Sequence, residues 1–421
     1  MRSLSVQNFS CIKSAVLEFN RLTILIGPQA SGKSVLCKLA YFFIDILHHQ
    51  PVFIAEGGSI DSYRDYISNK FREWFPYSAW GEGKFSIVFN AGNYKISLSR
   101  ISYSKKVSEN FRVKLSPEFA TQYEDTRKIV AKQNEKKSSK PLRGYDYEAE
   151  WRIRDISDRA ASRLLGRDYV DSQMFIPAGR SFFTSIGKAV AAFEQGRVLD
   201  PLIIQFGRIF ATYKDRRNYY FNERNKDSHL AAEDAFAKIL GGRLINSGDQ
   251  EFVECADGRK VPLSALSSGQ QELLPLAAVM PRLLMRGAKQ VIYIEEPEAH
   301  LFPSAQSSLV EIFGSTIARP GSRTDLVLTT HSPYVLVKIN NLIKAGQLGR
   351  SHSEAKRSKV QVIIPRSAWI GAKNVNAYAI RDGVLENIID SDGLIDAAYL
   401  DDVSGDIAKE YMRLLEIEDV Q

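Results

Sequence analysis

The sequence predicts an α/β fold with an antiparallel β-rich N-terminal part, a set of buried parallel strands and an inserted, mainly helical arm. Two short apolar runs, "QVIYIEE" from Gln290 and "TDLVLTTHS" from Thr324, end in polar residues, as central parallel strands that carry chemistry do. A third run, "RLTILIG" from Arg21, ends in a glycine and is followed by apolar residues at helical spacing. Strands and helices therefore alternate around polar strand ends.

The N-terminal lobe is expected to span residues 1–116. The runs "LSVQNF", "AVLEFN" and "RLTILIG" are rich in β-forming residues and are separated by short polar breaks, so they predict three strands. The helix "SVLCKLAYFFIDILHH" follows the third strand. A hairpin is predicted in "KFSIVFNAGNYKISLSR", because Gly92-Asn93 separates two alternating runs.

The middle of the chain reads as two segments. Residues 117–185 are expected to form a polar, basic surface segment, without regular pattern over 118–151, and a return strand near "YVDSQMFIPAGRSFF". Residues 186–250 are expected to form the helical insertion.

The C-terminal lobe is expected to span residues 251–390, and a helical tail residues 391–421. A hairpin is predicted to turn at Asp257-Gly258, and a second one lies in "AYAIRDGVLENI". The stretch "KVQVIIPRSAWI" is rich in β-branched residues and predicts strand.

Composition excludes several classes of protein. The chain has 421 residues, 44% of them hydrophobic and 25% charged, and no apolar run long enough to span a bilayer. The N-terminus has no signal-peptide core, and the three cysteines are scattered, so a cytoplasmic protein without disulfides or a cysteine metal cluster is expected, with no membrane partner. The net charge of +7 is compatible with nucleic-acid binding but does not establish it.

Residues 27–34, "GPQASGKS", match the phosphate-loop pattern G-x-x-x-x-G-K-[ST] between a predicted strand and a predicted helix. In such a loop the backbone N–H groups surround a phosphate, Lys33 reaches the β- and γ-phosphates, and the Ser34 hydroxyl binds Mg²⁺. The alternative is a chance match, which the strand–loop–helix context disfavours. The expected ATP-binding residues are Gly27, Gln29, Ala30, Ser31, Gly32, Lys33, Ser34 and Val35.

Two carboxylates end the strand "VIYIEE", and a histidine ends the next one. Glu295 is the expected second Mg²⁺ ligand, and Glu296 the expected general base for an attacking water. A charged strand end on the surface would explain the same letters, but the phosphate loop favours the catalytic interpretation. The segment "LSSGQQE" precedes an apolar helix, and "LTTHSP" places His331 at a strand end. Taken separately, a helix cap and a structural histidine would explain these two segments.

The order of phosphate loop, "LSSGQ", "IYIEE" and "TTHSP" resembles that of ABC-class ATPases, and "IEEPEAHLFPSAQ" resembles the SMC, RecF and OLD group. The resemblance covers about residues 1–100 and 260–390, and it implies an ABC-type P-loop ATPase head that binds ATP and Mg²⁺ between two subunits. It also implies that His331 is a switch histidine at the γ-phosphate. The signature residues expected to act in trans, on the nucleotide of the partner head, are Ser267, Ser268, Gly269 and Gln270.

The chain departs from the family pattern at four places. Glu295 replaces the usual Asp of ABC proteins, Gln29-Ala30 replaces Asn-Gly, and Phe302 stands where His is usual. The glutamine that usually links Mg²⁺ to the inserted arm is not clear, and Gln173 is the best candidate. The segment "IPAGR" resembles an "IPA-x-R" segment of these ATPases, so Arg180 is expected near phosphate.

Two functions follow from the resemblance. In the first, a stand-alone OLD-like ATPase, as found in anti-phage defence and toxin–antitoxin-like systems, senses or scaffolds and controls a separately encoded effector, for example a nuclease. In the second, a RecF-like ATPase clamps DNA for repair, with residues 127–143 as the basic contact. No nuclease activity is expected from the chain itself, because the tail acids Glu386, Asp390, Asp392 and Asp396 lie in one run. The expected effector-docking residues of the arm are Tyr213, Arg216, Arg217, Tyr219, Tyr220 and Phe221.

Overall fold

The structure is a computed structural model that describes most of the chain. The described residues are 2–100, 110–135, 147–186, 199–215, 226–247, 250–283, 288–351 and 353–396. No helix within these ranges has the length and apolar character needed to cross a membrane.

One mixed sheet of eleven strands runs through the described residues. Its N-terminal strands are β1 (Ser3–Phe9), β2 (Ile12–Glu18), β3 (Leu22–Ile26), β4 (Ser86–Ala91), β5 (Tyr94–Arg100) and β6 (Phe111–Leu115). Its later strands are β7 (Ser172–Ile176), β11 (Gln290–Glu295), β12 (Thr324–Thr330), β13 (Val375–Arg381) and β14 (Val384–Asn387).

The strand order is β6-β5-β4-β1-β2-β14-β13-β3-β12-β11-β7. The first five strands of this order pair antiparallel, whereas β13, β3, β12, β11 and β7 pair parallel. The predicted α/β class and its antiparallel N-terminal part are confirmed, as are the three N-terminal strands and the hairpin at Gly92-Asn93. Strand β3 lies between β13 and β12, so both ends of the chain build one sheet.

Alternate residues of the parallel strands face two separate apolar layers, which is why these strands read as continuous apolar runs. In β11, Val291 and Tyr293 belong to one layer, and Ile292 and Ile294 to the other. The first layer contains α1 (Lys33–Ala55), α2 (Ile60–Trp74), α3 (Pro117–Glu135) and α4 (Tyr147–Leu165). The second contains α5 (Ser181–Ile186), α6 (Pro201–Asp215), α7 (Lys226–Leu240), α8 (Ser268–Leu283), α9 (Pro303–Ala318) and α10 (Pro333–Leu348).

The expectation that residues 118–151 lack a regular pattern is wrong, because α3 and the start of α4 occupy the described part of this segment. The buried positions of α3 include Phe119, Gln122, Tyr123 and Thr126, which share one helical face. Two of these residues are polar. The Gln122 Oε1 atom accepts hydrogen bonds from Gln50 and from the Tyr94 hydroxyl, and its amide donates to Thr126. A buried helix face that contains hydrogen-bonded polar side chains does not produce an apolar repeat in the sequence.

The strand predicted in "KVQVIIPRSAWI" is also wrong. Helix α11 (Glu354–Ile363) occupies its first half, and the Ser353 side chain caps the helix by accepting a hydrogen bond from the Lys356 N–H. The β-branched residues that suggested a strand, Val362 and Ile363, are 88% and 78% exposed, so no sheet packing holds them. The cap decides the local structure here.

The predicted insertion contains helices α6 and α7, as expected, and a small antiparallel sheet follows them. Its strands are β8 (Gly242–Ser247), β9 (Gln250–Cys255) and β10 (Lys260–Pro262), and β9 and β10 form the hairpin predicted at Asp257-Gly258. This sheet crosses the domain boundary predicted at residue 250. The domain boundaries proposed from the sequence remain predictions. The side chains of the arm residues proposed for docking lie outside the described residues, as does the predicted C-terminal helix.

Candidate nucleotide-binding site

The C-terminal ends of four parallel strands meet at one edge of the sheet. In register, Ile26 of β3 pairs with Thr330 of β12, Thr329 pairs with Glu295 of β11, and Ile294 pairs with Ile176 of β7. The chain leaves these strands through the phosphate loop, His331, Glu296 and Arg180. The predicted site residues come together because the strands end at one level.

The phosphate loop has the backbone that its sequence requires. Gly32 has φ of 104°, and a Cβ atom there would lie 2.3 Å from Ile12 Cδ1. Ala30 adopts the left-handed φ of 57°. A non-glycine residue in this region costs roughly 1–2 kcal/mol. The loop keeps its shape here in spite of the Ala30 side chain.

Lys33 is buried at the start of α1, and its Nζ atom donates to the carbonyl oxygens of Gly27 and Pro28, at 2.8 Å each. Burial lowers the pKa of Lys33, and the carboxylates of Glu296, Glu298 and Glu295 oppose this shift. The ammonium group therefore lies between the loop and a set of carboxylates.

Glu295 lies beside the loop, within reach of Ser34. Burial raises the pKa of Glu295, and hydrogen bonds from the Ser34 side chain and the Ala178 N–H oppose this shift. The Oε1 atom of Glu295 is buried and has no hydrogen-bond partner. A buried carboxylate oxygen without a partner, next to a serine hydroxyl, suits Mg²⁺, which prefers few protein oxygens plus phosphate and water. Ser34 and Glu295 therefore fit the predicted metal pair.

Both the main chain and the side chain of Glu296 have hydrogen-bond partners. Its N–H donates to the main-chain oxygen of Thr329 at 3.0 Å, and its backbone adopts φ of 41°, which is uncommon outside glycine. Its Oε1 atom lies 3.0 Å from His331 Nε2, and both side chains are partly exposed. The structure therefore places the predicted base and the predicted switch histidine in direct contact.

The sequence analysis missed Glu298, which positions His331. This carboxylate is buried, and its Oε1 atom accepts hydrogen bonds from the Thr330 hydroxyl at 2.6 Å and the His331 N–H at 2.9 Å. Its position as the third carboxylate of "EEPE", directly after a buried strand, was the available signal. Phe302, the departure noted above, is 76% exposed at the start of α9.

The signature residues form the start of α8. Ser267 and Ser268 are exposed, and the Ser267 N–H and hydroxyl both donate to Gln270 Oε1. The Gln270 amide donates to the Leu240 carbonyl at 2.8 Å, and a Cβ atom on Gly269 would lie 2.7 Å from the His300 carbonyl oxygen. Across the described ranges, no hydrogen bond joins these side chains to the phosphate loop of the same chain.

Gln173 does not join this cluster. It pairs with Val291 near the start of β7, at the opposite end of the strand from Arg180, and its amide donates to the Tyr41 carbonyl at 3.0 Å. The turn after β7, and not Gln173, reaches Glu295, through the Ala178 N–H.

Arg180 does lie at the site, but its expected role at phosphate does not fit its contacts. It is fully buried, and its guanidinium donates to the carbonyl oxygens of Glu272, Pro177, Glu295 and Glu296.

The acids of the tail take part in turns. Asp390 Oδ1 accepts hydrogen bonds from the N–H groups of Asp392 and Leu394, and Glu386 lies 3.9 Å from Arg381. Within the residues that the structure describes, no three His, Cys, Asp or Glu side chains group as metal ligands do.

The raised pKa of Glu295 predicts that removal of its charge stabilises the folded protein but weakens metal binding. The ionised carboxylate lowers stability at neutral pH, and this cost decreases as the pH falls from the raised pKa toward the ordinary value of 4.5. We expect Glu295→Gln to raise the unfolding temperature of the nucleotide-free protein at pH 7, with a smaller gain at lower pH. The variant should bind ATP in the presence of Mg²⁺ at least about tenfold more weakly.

Thermal unfolding with and without Mg²⁺ and ATP measures both effects. Glu386→Gln, which removes a carboxylate with about half of its side chain exposed, is the matched control and should change neither quantity. A destabilised Glu295→Gln protein with normal Mg²⁺ dependence would contradict the assignment.

Comparison with solved structures finds a remote likeness to SMC heads. Three SMC head structures are similar in part: one bound to the C-winged helix domain of ScpA, one from Thermotoga maritima, and one with an extended coiled coil bound to the C-terminal domain of ScpA, derived from Pyrococcus furiosus. They are 15%, 15% and 14% identical, with TM-scores of 0.40, 0.37 and 0.37. Each match covers 92% of this chain and 96%, 97% and 96% of the other. At this level the likeness is remote. No curated protein matches the sequence.

One family profile matches residues 22–337, from β3 to the first turns of α10, and so covers the phosphate loop, Glu295, Glu296 and His331. Its description is "AAA domain, putative AbiEii toxin, Type IV TA system". The match extends over more than half of the chain. The protein therefore belongs to this family of P-loop AAA-domain ATPases.

Proposed function

We propose that the protein binds ATP with Mg²⁺ at the phosphate loop and hydrolyses it between two copies of the chain. The observation that carries this proposal is the approach of Ser34 to Glu295, whose buried Oε1 atom has no partner. A serine hydroxyl and a carboxylate at the end of a neighbouring strand are the protein ligands that Mg²⁺ takes at a phosphate loop. When bound, the ion would neutralise charge on the phosphate oxygens.

Lys33 and the loop would bind the phosphates. The Lys33 ammonium now donates to two loop carbonyls, and these bonds hold it next to the space that the loop encloses. The N-terminus of α1 adds N–H groups that favour an anion. ATP would thus be bound by backbone donors and one buried cation.

Glu296 would act as general base for the attacking water. His331 contacts only its Oε1 atom, so the other carboxylate oxygen can accept a proton from water. The buried Glu298 fixes the main chain of His331, and His331 in turn orients Glu296. A base held by a second and a third group is the usual arrangement for proton transfer.

The signature segment would act on the nucleotide of a partner head. Ser267 and Ser268 are exposed at the N-terminus of a 16-residue helix, which favours an anion. Their own chain's phosphate loop makes no hydrogen bond to them in the part of the chain that is described. A head-to-head homodimer, alone or within a larger assembly, would bring the two together.

The nucleotide cycle would control a separately encoded effector, in defence against phage or in a toxin–antitoxin-like pair. The family description names a putative AbiEii toxin and a Type IV TA system, which supports a role with a partner. The helical insertion, α6 and α7, is the proposed docking element, and the chain itself is proposed to have no nuclease activity.

Lys33→Ala tests the nucleotide site. Loss of a hydrogen bond to a charged group costs about 1.5–3 kcal/mol, so ATP affinity should fall by roughly 10- to 100-fold. Binding of a fluorescent ATP analogue measures the change. Lys95→Ala, on an exposed position of β5 in the antiparallel part, is the matched control and should bind as the wild type does. Equal affinity of Lys33→Ala and wild type would refute the site.

A mixing experiment tests the shared site. Gly269 is a poor position for substitution because a side chain there would strike the His300 carbonyl, whereas Ser268 is exposed and can take arginine without disturbing the fold. Lys33→Ala and Ser268→Arg should each be inactive alone. Their heterodimer contains one intact site, so mixing should restore roughly a quarter of wild-type ATPase activity, since half of the dimers form with one site each.

The control is the Lys33→Ala/Ser268→Arg double variant, mixed with the Ser268→Arg variant. No dimer in this mixture has an intact Ser268, so mixing should not restore activity. Full activity of Ser268→Arg alone would contradict a role of the signature segment in trans.

A further inference from the structure

Arg180 joins the two parts of the head that the proposed reaction uses. It follows β7, and its side chain is fully buried between the turn after β11 and the second turn of α8. Nothing in the predicted chemistry of the site accounts for a buried arginine at this point. Its contacts show what it holds.

Four hydrogen bonds join the guanidinium group to main-chain carbonyl oxygens. The Nε atom donates to the Glu272 carbonyl at 3.0 Å, Nη1 to the carbonyls of Pro177 and Glu295 at 3.0 and 2.7 Å, and Nη2 to the Glu296 carbonyl at 3.1 Å. Nη2 also lies 3.3 Å from Glu272 Oε1. Four of the five N–H donors of arginine therefore bind main-chain carbonyls, and the remaining charge is paired with Glu272.

The partner carboxylate, Glu272, belongs to the signature helix. It lies four residues after Ser268, which is one helical turn, and is 1% exposed. Its two oxygens accept hydrogen bonds from the N–H groups of Arg180 and Ser181, at 2.8 and 2.9 Å. The helix that begins with the signature serines is therefore bound directly to the turn that carries Arg180.

The carbonyls that Arg180 holds belong to the metal ligand and to the base. Glu296 adopts its left-handed conformation with its N–H bound to Thr329 and its carbonyl bound to Arg180. Backbone strain of this kind persists only where neighbouring groups fix it, at a cost on the order of 1–3 kcal/mol. Removal of the guanidinium would free one side of the Glu296 peptide.

We infer that Arg180 is a positioning residue that sets the orientation of Glu296 according to the position of the signature helix. This inference rests on the proposed function. In the proposed dimer, the signature helix of a head contacts one nucleotide and Glu296 of the same head acts on the other. The Arg180–Glu272 pair therefore couples the two ATP sites across each head.

Arg180→Lys is the test. Lysine keeps a positive charge for Glu272. It cannot donate to the Glu272 carbonyl and to the carbonyls of Glu295 and Glu296 at the same time, because all three of its N–H donors are on one nitrogen atom. We expect kcat to fall by roughly 10- to 100-fold, as small misplacement of a catalytic group does, while ATP affinity stays within about threefold of wild type. Wild-type kcat in Arg180→Lys would overturn the inference.

Arg2→Lys is the matched control. Arg2 also forms a buried ion pair, with Asp325, at the start of β12 and thus at the opposite end of the sheet from the site. The same substitution there should lower the unfolding temperature without changing kcat. If both variants lose kcat in proportion to stability, Arg180 has only a structural role and the inference falls.

Two further variants cover failure to fold and test the helix link. Replacing both partners, Arg180→Met with Glu272→Met, removes a buried ion pair without leaving one charge alone, which is often tolerated. The double variant should bind ATP and hydrolyse it as slowly as Arg180→Lys does. A normal kcat in the double variant would overturn the inference. Glu272→Gln keeps one acceptor oxygen for two N–H groups and should lower kcat by about tenfold. A normal kcat in Glu272→Gln would show that the signature helix does not influence the position of Glu296.

Failure of the inference and failure of the proposed function give different results. If wild-type protein does not hydrolyse ATP, both fall, since there is no base to position. If wild type hydrolyses ATP and Arg180→Lys matches it, only the inference falls.

Discussion

The common level at which four parallel strands end is the constraint on which the site depends. Strands β3, β12, β11 and β7 are hydrogen-bonded in register, so the residues that follow them must lie side by side. A slip of one residue in β11 would turn Glu295 toward the opposite face of the sheet and separate it from Ser34. The buried alternation of apolar residues on both faces prevents such a slip. The packing of the two layers thereby fixes the geometry of the site.

Charge imposes the second constraint, and it opposes stability. Three carboxylates, Glu295, Glu296 and Glu298, lie near the Lys33 ammonium at this strand edge. Glu298 is buried there, whereas Glu296 is partly exposed. Glu298 Oε1 accepts hydrogen bonds from Thr330 and His331, but Glu298 Oε2 and Glu295 Oε1 are both buried without a hydrogen-bond partner. A buried carboxylate without full compensation costs free energy, which a bound cation would recover. This uncompensated charge supports the proposal that a cation binds at this edge of the sheet.

The residues of this site that could be predicted from sequence are those that belong to a fixed pattern or directly follow a buried strand. The phosphate loop has a fixed pattern, and Glu295, Glu296 and His331 follow apolar runs whose length marks buried strands. Glu298 and the Arg180–Glu272 pair could not be found in this way, because their partners are more than thirty residues away and are mostly backbone atoms. Helix α3 was missed for a related reason: its buried face includes Gln122, whose hydrogen bonds replace an apolar pattern. The family pattern gave no position along the strand for Gln173, which pairs with Val291 near the start of β7, away from the strand ends at the site.

The role of Glu296 is the central claim, and single-turnover hydrolysis by Glu296→Gln tests it most directly. Glutamine keeps the shape of the side chain and can still contact His331, but it cannot accept a proton from water. The account predicts that this variant binds ATP with Mg²⁺ about as tightly as wild type and cleaves it slower by a factor on the order of a hundred or more. Cleavage at the wild-type rate, with the same bound nucleotide, would contradict the assignment of Glu296 as the base.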